Sequence, residues 1–412
     1  MAIDPYKGVR DFYPEDERIQ NHIFGAMRRA VERFGYEEMN ASVLEPTDLY
    51  AAKTSEEIVS KQTYTFQDRG ERSVTLRPEM TPTVARMVAV RRRELGFPLR
   101  WYSIQNFFRY ERPQRGRLRE FWQLNADLFG ASGIEADVEM IAMSHAIMRE
   151  MGASEKDFVI RIGSRAFMDF AYEEAGVPKA SRQEVTRLLD RKEKTNDFDA
   201  ELAALLGRKE AKALLSALEN GKTFPYFRDL IARIGALGIG NAGIDTSIAR
   251  GFDYYTGMVF EVFDTDKENP RAMFGGGRYD NLVGQYGKDG VPAVGFAMGD
   301  VIARDFLETH GLLPVLAPAA KLYLAPISEE DAAAVAKLAR ELRDRGMNIA
   351  LGLGHEKIGD HVKAAAKLGI PYFAAYGEKE RSSGMFSIKN LATGEEKTFA
   401  LEDIASFFSP GR

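Results

Sequence analysis

The chain has 412 residues, of which 45% are hydrophobic and 28% charged, and its formal net charge at pH 7 is −5. A length of this order predicts roughly two to four domains, and the charged fraction is typical of a globular chain and not of a disordered one. The slightly acidic balance excludes a wholly basic coat for nucleic acid, although it leaves room for a local basic patch.

Cysteine is absent, which excludes disulfide bonds, thiolate metal sites and cysteine nucleophiles. No apolar run approaches the ~20 residues of a membrane span, and the polar residues 1–10 do not have the pattern of a signal peptide. We therefore predict a cytoplasmic protein without a membrane segment.

The first predicted element is an amphipathic helix that ends before Gly35. Its apolar face consists of residues at helical spacing: Ile19, Ile23, Met27, Ala30, Val31 and Phe34. Short apolar or alternating runs predict strands of a mixed or antiparallel sheet at 100–110, 120–129, 244–246 and 258–263. Between the second and third of these runs, residues 170–239 are rich in Ala, Leu, Glu and Lys and predict a helical insertion.

The last part of the chain follows a different pattern. Residues 311–320 contain two prolines and predict a linker. Beyond it, predicted strands alternate with predicted helices, in the order strand 321–325, helix 329–345, strand 348–353, helix 358–368 and strand 372–376. This alternation predicts a small parallel α/β domain of about 90 residues. The predicted divisions are 1–169 and 240–310 for a discontinuous first domain, 170–239 for its insertion, 311–320 for the linker and 321–412 for the last domain.

Three simple site patterns are excluded. Residues 238–243 spell the Gly-x-Gly-x-x-Gly dinucleotide fingerprint, but strand-like residues follow where that motif needs a helix, so we predict a chance glycine-rich turn. No Gly-x4-Gly-Lys-Ser/Thr segment occurs, which excludes a P-loop. The five histidines are scattered, and His355 and His361 would lie on different faces of a helix. We therefore predict no metal site and expect solvated or capping histidines.

The densest cationic segment is 109–119, which holds five arginines. Pro113 and Gly116 predict a turn inside it, between two strand-like arms. Aromatic residues in these arms indicate rigid, buried structure beneath the arginines: Trp101, Tyr102, Phe107, Phe108, Phe121 and Trp122. An ordinary charge run would be a solvated hairpin, but guanidinium groups suit phosphate oxygens in a bidentate manner. We therefore predict a polyanionic partner, such as a nucleoside triphosphate or an RNA end.

Four further segments carry polar or glycine-rich patterns. Residues 77–82 hold a carboxylate and a hydroxyl between two prolines, and Asp127 lies in a hydrophobic strand where it needs a partner. Residues 250–257 place an arginine, an acid and two tyrosines beside an apolar strand. Residues 275–280 begin with three glycines, which allow a ligand to approach the backbone closely. Each segment alone is compatible with a simple turn, but together they predict one polar pocket.

Taken in chain order, these segments resemble the histidyl-tRNA synthetases, a family of class II aminoacyl-tRNA synthetases. The helix before Gly35 and the strand towards Pro46 are similar to class II motif 1, and residues 108–129 are similar to motif 2 and its loop. The segments 250–255 and 275–280 are similar to the two signatures of the histidine enzymes. The resemblance implies an α+β catalytic domain, with a six-stranded antiparallel sheet flanked by helices, and a C-terminal α/β anticodon-binding domain. It also implies a homodimer formed through motif 1.

The implied reaction is the ATP-dependent ligation of L-histidine to the 3′ end of tRNA(His) through histidyl-adenylate. Mg²⁺ is implied as the companion of ATP, and no protein residue is assigned to it. In this reaction Arg109 and Arg250 would be the catalytic residues and would approach the α-phosphate from opposite sides.

The motif matches imply three groups of binding residues. The histidine site would consist of Glu79, Met80, Thr81, Arg109, Gln123, Asp127, Arg250, Tyr254 and Tyr255. Within this group, the α-ammonium is assigned to Glu79, Thr81 and Gln123, and the imidazole to Asp127 and Tyr255 with Tyr254 alongside. The ATP site would consist of Arg109, Glu111, Arg117 and Gln123. The tRNA acceptor end would meet Gln114 and Arg115, with Arg117 in the same loop.

One position departs from the family pattern. Motif 3 commonly ends in Gly-Leu-Glu-Arg, whose arginine meets the ATP γ-phosphate, whereas Gly299 is followed here by Asp300, Val301 and Ile302. Arg304 lies two residues beyond Ile302, which on a helix of ~3.6 residues per turn is about 200° away, so it is not a simple replacement. We predict that Arg117 or another motif 2 arginine takes over this contact.

Two other functions are compatible with a synthetase-like body. A regulatory subunit of ATP phosphoribosyltransferase charges no tRNA, and the missing motif 3 arginine favours it. The pocket residues and the anticodon-like domain argue against it, because such a subunit has no use for that domain. A sensor of uncharged tRNA would bind histidine or RNA without making adenylate, and a pair of catalytic arginines is unexpected in a sensor.

Overall fold

The computed structural model describes residues 3–51, 62–189, 195, 197–248, 254–354 and 357–408. By its internal contacts the chain forms two compact units, one of residues 1–11 with 19–313 and one of residues 12–18 with 314–412. The helices up to residue 313 are α1 Pro14–Glu32, α2 Asp48–Ala51, α3 Thr81–Arg91, α4 Ile134–Glu150, α5 Arg165–Glu174, α6 Lys179–Leu189, α7 Phe198–Leu206, α8 Arg208–Asn220, α9 Pro225–Ala236 and α10 Asp300–Thr309. The strands are β1 Glu37–Glu38, β2 Leu44–Pro46, β3 Tyr64–Gln67, β4 Ser73–Leu76, β5 Leu99–Phe108, β6 Glu120–Phe129, β7 Phe158–Ser164, β8 Ala242–Ile244, β9 Met258–Asp264, β10 Ala272–Arg278 and β11 Ala293–Gly299.

The large sheet of the first unit has the strand order β1-β5-β6-β11-β10-β9-β7-β8. Its six inner strands pair antiparallel throughout, which confirms the six-stranded antiparallel sheet. The short strands β1 and β8 extend it by pairing parallel at the two edges. The strand predicted at 244–246 was placed too late, because β8 covers Ala242–Ile244.

Alternation along β6 explains how this sheet separates a core from a polar face. Leu124, Ala126 and Leu128 pack into the main hydrophobic cluster together with residues of α1 and α4. Gln123 and Asp127 alternate with them and therefore point to the opposite face, since successive side chains of a strand alternate. The helix predicted before Gly35 is confirmed as α1, and Gly35 follows it with a positive φ of 79° that favours glycine.

Helices α5 to α9 follow β7 and have a hydrophobic cluster of their own, built around Phe167, Leu202, Leu214 and Phe227. α5 begins at Arg165, before the predicted start of the insertion at residue 170. The boundaries of this insertion and of the linker stay predictions. α9 ends at Ala236 and β8 begins at Ala242, so the glycine-rich stretch connects a helix to a strand. A dinucleotide-binding turn needs the reverse order.

The second unit contains β12 Leu322–Pro326, α11 Ala332–Asp344, β13 Ile349–Leu351, α12 Ile358–Lys367, β14 Tyr372–Tyr376, α13 Glu378–Ser383, β15 Met385–Asn390, β16 Glu396–Ala400 and α14 Leu401–Phe408. The first three strands pair in parallel, as predicted, in the order β13-β12-β14. The sheet is not parallel throughout, because β15 and β16, which follow the predicted segments, add an antiparallel hairpin to β14. Phe386 and Ile388 are buried while Met385 and Ser387 are exposed, so the period-two signal was present in the sequence.

One of the described histidines, in α12, differs from the expectation of solvated or capping roles. His361 is wholly buried in α12, with its Nδ1 3.3 Å from the Tyr323 hydroxyl. His310 has one of the expected roles, because it is the C-cap residue of α10, and its Nε2 lies 2.7 Å from an oxygen of the buried Asp264. His355 lies outside the described residues. Within the described ranges, none of the helices combines the length and apolar character needed to cross a bilayer.

Candidate active site

A cavity of about 210 Å³ lies on the polar face of the large sheet. This is smaller than the roughly 300–1,000 Å³ typical of sites for drug-sized ligands, so it suits a small substrate. Its lining residues come from the start of α3, the end of β5, strands β6, β10 and β11, and Tyr255 and Tyr279: Glu79, Thr81, Arg109, Gln123, Asn125, Tyr255, Gly275, Tyr279, Gly295, Phe296 and Ala297. Five of the site residues predicted from the sequence line this one cavity: Glu79, Thr81, Arg109, Gln123 and Tyr255.

The register of β6 against β11 shapes the floor of this cavity. Asn125 lies opposite Ala297 and Asp127 lies opposite Gly295. A Cβ atom on Gly295 would collide with Oδ1 of Asp127. The neighbouring strand must therefore carry glycine at this position to leave room for the carboxylate.

Asp127 is 3% exposed and accepts a hydrogen bond of 2.5 Å from the Tyr279 hydroxyl. Burial raises the pKa of this carboxyl to about 7, although the Tyr279 hydrogen bond opposes the shift. Tyr279 and Gly295 line the cavity, and Asp127 stands directly behind them. The partner that Asp127 was expected to need is therefore a phenol, and the site holds an acceptor whose charge changes near neutral pH.

Glu79 and Tyr254 form a buried pair at the other wall. Glu79 precedes α3 and is 3% exposed, and the Tyr254 hydroxyl donates to it at 2.9 Å. Burial, and then the nearby Glu79 carboxylate, raise the pKa of the Tyr254 and Tyr255 phenols well above their ordinary value. Both phenols are therefore protonated donors at neutral pH. Tyr254 lies behind the lining, and Met80 is wholly buried in the adjoining hydrophobic cluster.

Arg109 follows the last residue of β5 and lines the cavity. Its Nε donates to the carbonyl oxygen of Pro78 at 2.9 Å, and its guanidinium lies 5.5 Å from the centre of the Phe121 ring. These contacts orient a cation at the rim, where it can meet a carboxylate or a phosphate. Arg250, its predicted counterpart, lies outside the described residues.

The remaining predicted residues lie in the hairpin loop between β5 and β6. Gln114 and Arg117 bridge across a two-residue turn, which confirms the predicted turn at Gly116. Arg117 is 3.3 Å from Glu111, and Gln114 accepts from Arg271 at 3.4 Å. None of the predicted loop residues Glu111, Gln114, Arg115 and Arg117 lines the cavity, so their roles stay predictions.

Six lining residues were not among the predicted site residues: Asn125, Gly275, Tyr279, Gly295, Phe296 and Ala297. Asn125 lies between Gln123 and Asp127 on the same face of β6, so alternation along this strand could have indicated it. Gly275 and Tyr279 belong to residues 275–280, which the sequence predicts to help form the polar pocket. Neither residue was assigned a contact with a substrate. The β11 residues carry no local signal, because only the pairing of β11 with β6 brings them to the site.

Helix α10 contains the unusual motif 3 positions. Asp300 is 3% exposed, accepts from Arg10 at 2.6 Å and accepts from the backbone nitrogen of Trp122 at 2.9 Å. Arg304 donates from Nε to Glu308 at 2.8 Å, one turn further along the helix. The new acid at 300 thus ties α10 to the first residues of the chain and to β6.

Comparison with known proteins places this chain in one family. The family profile described as Histidyl-tRNA synthetase matches residues 8–300, and the one described as Anticodon binding domain matches residues 321–409. The histidine–tRNA ligase of Leptospira biflexa serovar Patoc is 38% identical over 421 residues, covering 98% of this chain and 96% of the relative. The histidine–tRNA ligase of Thermoplasma volcanium is 35% identical over 428 residues, covering 99% and 98%. The crystal structure of histidyl-tRNA synthetase from Nostoc sp. PCC 7120 has the same fold, with a TM-score of 0.83 at 23% identity over 99% of both chains.

The two matched profiles, one for a synthetase and one for an anticodon-binding domain, place the chain among the aminoacyl-tRNA synthetases. The chain belongs to the histidyl-tRNA synthetase family. The resemblance drawn from the sequence motifs is confirmed. The regulatory-subunit alternative finds less support, because it gives no use to the C-terminal domain that the second profile matches.

Proposed function

We propose that this protein catalyses the ATP-dependent ligation of L-histidine to the 3′ end of tRNA(His). The observation that carries the proposal is the cavity on the large sheet, where Glu79, Thr81, Arg109, Gln123 and Tyr255 converge. It offers an anionic wall, a cationic rim and a buried carboxylate behind the floor. A zwitterionic amino acid with a polar ring needs these three features.

In the first step, an oxygen of the histidine carboxylate attacks the α-phosphorus of ATP. The bond from that phosphorus to the bridging oxygen of the β-phosphate breaks, and pyrophosphate leaves. Arg109 holds the carboxylate and the α-phosphate together at the rim, where negative charge builds up in the transition state. Arg250 takes the opposite side of the same phosphate in this proposal, by its match to the family signature.

Recognition of the amino acid is divided between two parts of the cavity. Glu79, Thr81 and Gln123 accept hydrogen bonds from the α-ammonium group. Tyr255 and the floor in front of Asp127 take the imidazole, with Tyr279 holding the Asp127 carboxylate in position. A site that pairs the ring nitrogens rejects apolar isosteres, because they would leave buried polar groups without partners.

The hairpin loop serves the two larger substrates. Arg117 and Glu111 meet the triphosphate, and Gln114 and Arg115 meet the tRNA acceptor end. Mg²⁺ arrives with ATP in this proposal, held largely by the phosphates, and no protein residue is assigned to it. A ribose hydroxyl of the terminal adenosine then takes the acyl group and AMP leaves.

The proposed working form is a homodimer in the cytoplasm, where the three substrates occur together. Motif 1 includes β2, and the small sheet β2-β4-β3 presents Leu44 and Phe66, which are 45% and 48% exposed. Apolar side chains at this position support a subunit contact there. Sedimentation of the protein is expected to give the mass of two chains.

The proposed function is tested by ATP–pyrophosphate exchange with each of the twenty amino acids, in the absence of tRNA. Exchange with histidine alone is expected, followed by charging of tRNA(His) when tRNA is added. A folded protein that gives no exchange with any amino acid would overturn the proposal. Exchange without charging would overturn its second step.

A further inference from the structure

The tip of the β5–β6 hairpin rests on helix α10. Gln114 and Arg117 exchange two backbone hydrogen bonds, of 3.0 and 2.9 Å, around a turn centred on Arg115 and Gly116. Gly116 has a φ of 76°, which favours glycine, and a Cβ atom there would lie 3.2 Å from Cδ1 of Ile302. The tip is therefore seated on the residue that stands where the family commonly has an arginine.

Arg115 is the side chain that this seating brings against α10. Its Nη2 donates to the Thr309 hydroxyl at 3.4 Å, its Nη1 lies 3.7 Å from Glu268, and its Nε lies 3.9 Å from Oδ2 of Asp305. All three distances are long for a guanidinium, and the Arg115 side chain is 54% exposed. Pairs of this kind are weak and are screened by salt.

Asp305 is an imperfect partner for this arginine. Its side chain is 21% exposed, and its Oδ2 is buried without a hydrogen bond among the described residues. Burial raises the pKa of the carboxyl, although the nearby Arg115 opposes the shift. An RNA phosphate can offer Arg115 two short hydrogen bonds, so exchanging the carboxylate for a phosphate improves its contacts.

We propose that Asp305, assisted by Glu268, holds Arg115 on α10 in the free enzyme and competes for it with a phosphate of the tRNA acceptor end. Asp305 is a positioning residue here, because it acts on the RNA through Arg115 and touches no reacting atom. The inference rests on the proposed function and deepens it, since it assigns the resting contact of a loop arginine. The carboxylate withholds the arginine from anions until a tRNA of the right shape displaces it.

The test is the variant Asp305→Asn, assayed for tRNA charging and for ATP–pyrophosphate exchange. Loss of one long, partly exposed ion pair predicts a KM for tRNA about two- to fivefold lower at low salt, with kcat unchanged. The difference is expected to shrink as the salt concentration rises. The exchange rate and the KM values for ATP and histidine are expected to stay the same, because no tRNA takes part in that step.

Two further variants separate this contact from a general charge effect. Glu308→Gln removes an equal charge from the same helix, but Glu308 pairs with Arg304 at 2.8 Å, so its KM for tRNA should not fall. In an Arg115→Gln background, Asp305→Asn is expected to change nothing further, which a double-variant cycle would show.

Several results would overturn the proposal. They are an unchanged or higher KM for tRNA in Asp305→Asn, an equal fall in Glu308→Gln, and a change in the KM for ATP without one for tRNA. Absence of exchange in the unaltered protein is a separate outcome. Absence of exchange would contradict the proposed function itself, and it is measured before any tRNA is added.

Discussion

The floor of the cavity and the tip of the β5–β6 hairpin hold their charges in opposite ways. Asp127 behind the floor and Glu79 at the opposite wall are each 3% exposed and accept from tyrosine hydroxyls at 2.5 and 2.9 Å. At the tip, Arg115 and Arg117 are 54% and 57% exposed and face carboxylates at 3.3 to 3.9 Å. The carboxylates of the cavity are buried and hydrogen-bonded, whereas the arginines of the tip form long ion pairs at the surface.

This difference matches the substrates that the two regions are proposed to receive. A buried network discriminates strongly, because a ligand that fails to complete it leaves costly unpaired groups. A surface pair discriminates little, but it exchanges one anion for another readily and responds to salt. Arg109 stands at the junction, as the first residue after β5, with its Nε bonded to the Pro78 carbonyl.

The largest effect is expected at this junction. Arg109→Gln removes the positive charge beside the proposed α-phosphate position and should lower kcat/KM for histidine-dependent exchange by about 10²–10³-fold. Arg112→Gln is the matched control, since Arg112 is an exposed arginine of the same hairpin. Its exchange rate should stay within about twofold, as a solvated charge contributes little. If Arg109→Gln kept its rate within tenfold, the junction would not carry the chemistry.

The floor predicts a second large effect, on binding. Asp127→Asn replaces an anionic acceptor by a neutral amide of the same shape, which should raise the KM for histidine by about 10–100-fold. Exchange assays at low and at high salt should give the same ratio to the unaltered protein, because the group is buried. A ratio that falls with salt, or an unchanged KM, would place Asp127 outside the recognition of histidine.

Asp127 also predicts how stability depends on pH. The ionised carboxylate that is proposed to bind histidine makes the folded protein less stable. The pKa of Asp127 is raised from 3.8 to about 7, so between these pH values the native state keeps a proton that the unfolded state has released. Its contribution to the free energy of unfolding therefore falls as pH rises through this window and is level on either side. Asp127→Asn removes the penalty and should be more stable at pH 8, by on the order of a few kcal/mol, but not near pH 4.

Urea unfolding of the ligand-free protein at several pH values measures this effect. Asp137→Asn serves as the contrasting variant, because it separates a buried acid from Arg278, which holds it at 2.8 Å. That change leaves the buried Arg278 with the more exposed Asp280, at 3.4 Å, as its remaining carboxylate partner, and it should destabilise the protein at neutral pH by up to roughly 3–5 kcal/mol. Equal stability of Asp127→Asn and the unaltered protein at pH 8 would contradict the raised pKa.

The sequence predicts those parts of the cavity and of the hairpin that depend on neighbouring residues. Alternation along residues 120–129 predicts β6, and Pro113 with Gly116 predicts the turn that the structure confirms. The six antiparallel strands follow from the family motifs. The C-terminal sheet was only partly predicted, because β15 and β16 form a hairpin beyond residue 376, where the predicted alternation of strands and helices ends.

The residues that were missed depend on contacts distant in the chain. Gly295 faces Asp127 only through the register of β11 on β6, and nothing near residue 295 signals it. The contact of Arg115 with Asp305 joins a hairpin to a helix far along the chain. Met80 lies between two polar wall residues but is buried in a hydrophobic cluster and does not line the cavity, so its part in histidine binding stays a prediction.

The smallest effect is expected at Arg304. This variant tests whether α10 or the tip of the hairpin binds the triphosphate. Its Nε donates to Glu308 at 2.8 Å, and the two side chains are 32% and 48% exposed. An exposed i,i+4 pair of this kind contributes about 0.3–0.5 kcal/mol, so Arg304→Ala should leave the KM for ATP in the exchange assay within about twofold. Arg117→Ala, in the hairpin, should raise the KM for ATP by about tenfold or more, because it removes a charged hydrogen bond to the triphosphate.

If Arg304→Ala raised the KM for ATP as much as Arg117→Ala, α10 would still supply the triphosphate contact, and the hairpin would not have taken it over. The expected result is the opposite, because Ile302 gives α10 an apolar residue at the position where the tip is seated. A helix that receives the hairpin cannot at the same position present a cation to ATP. The arginine that the family keeps on the helix is therefore expected to be supplied here by the loop that rests on it.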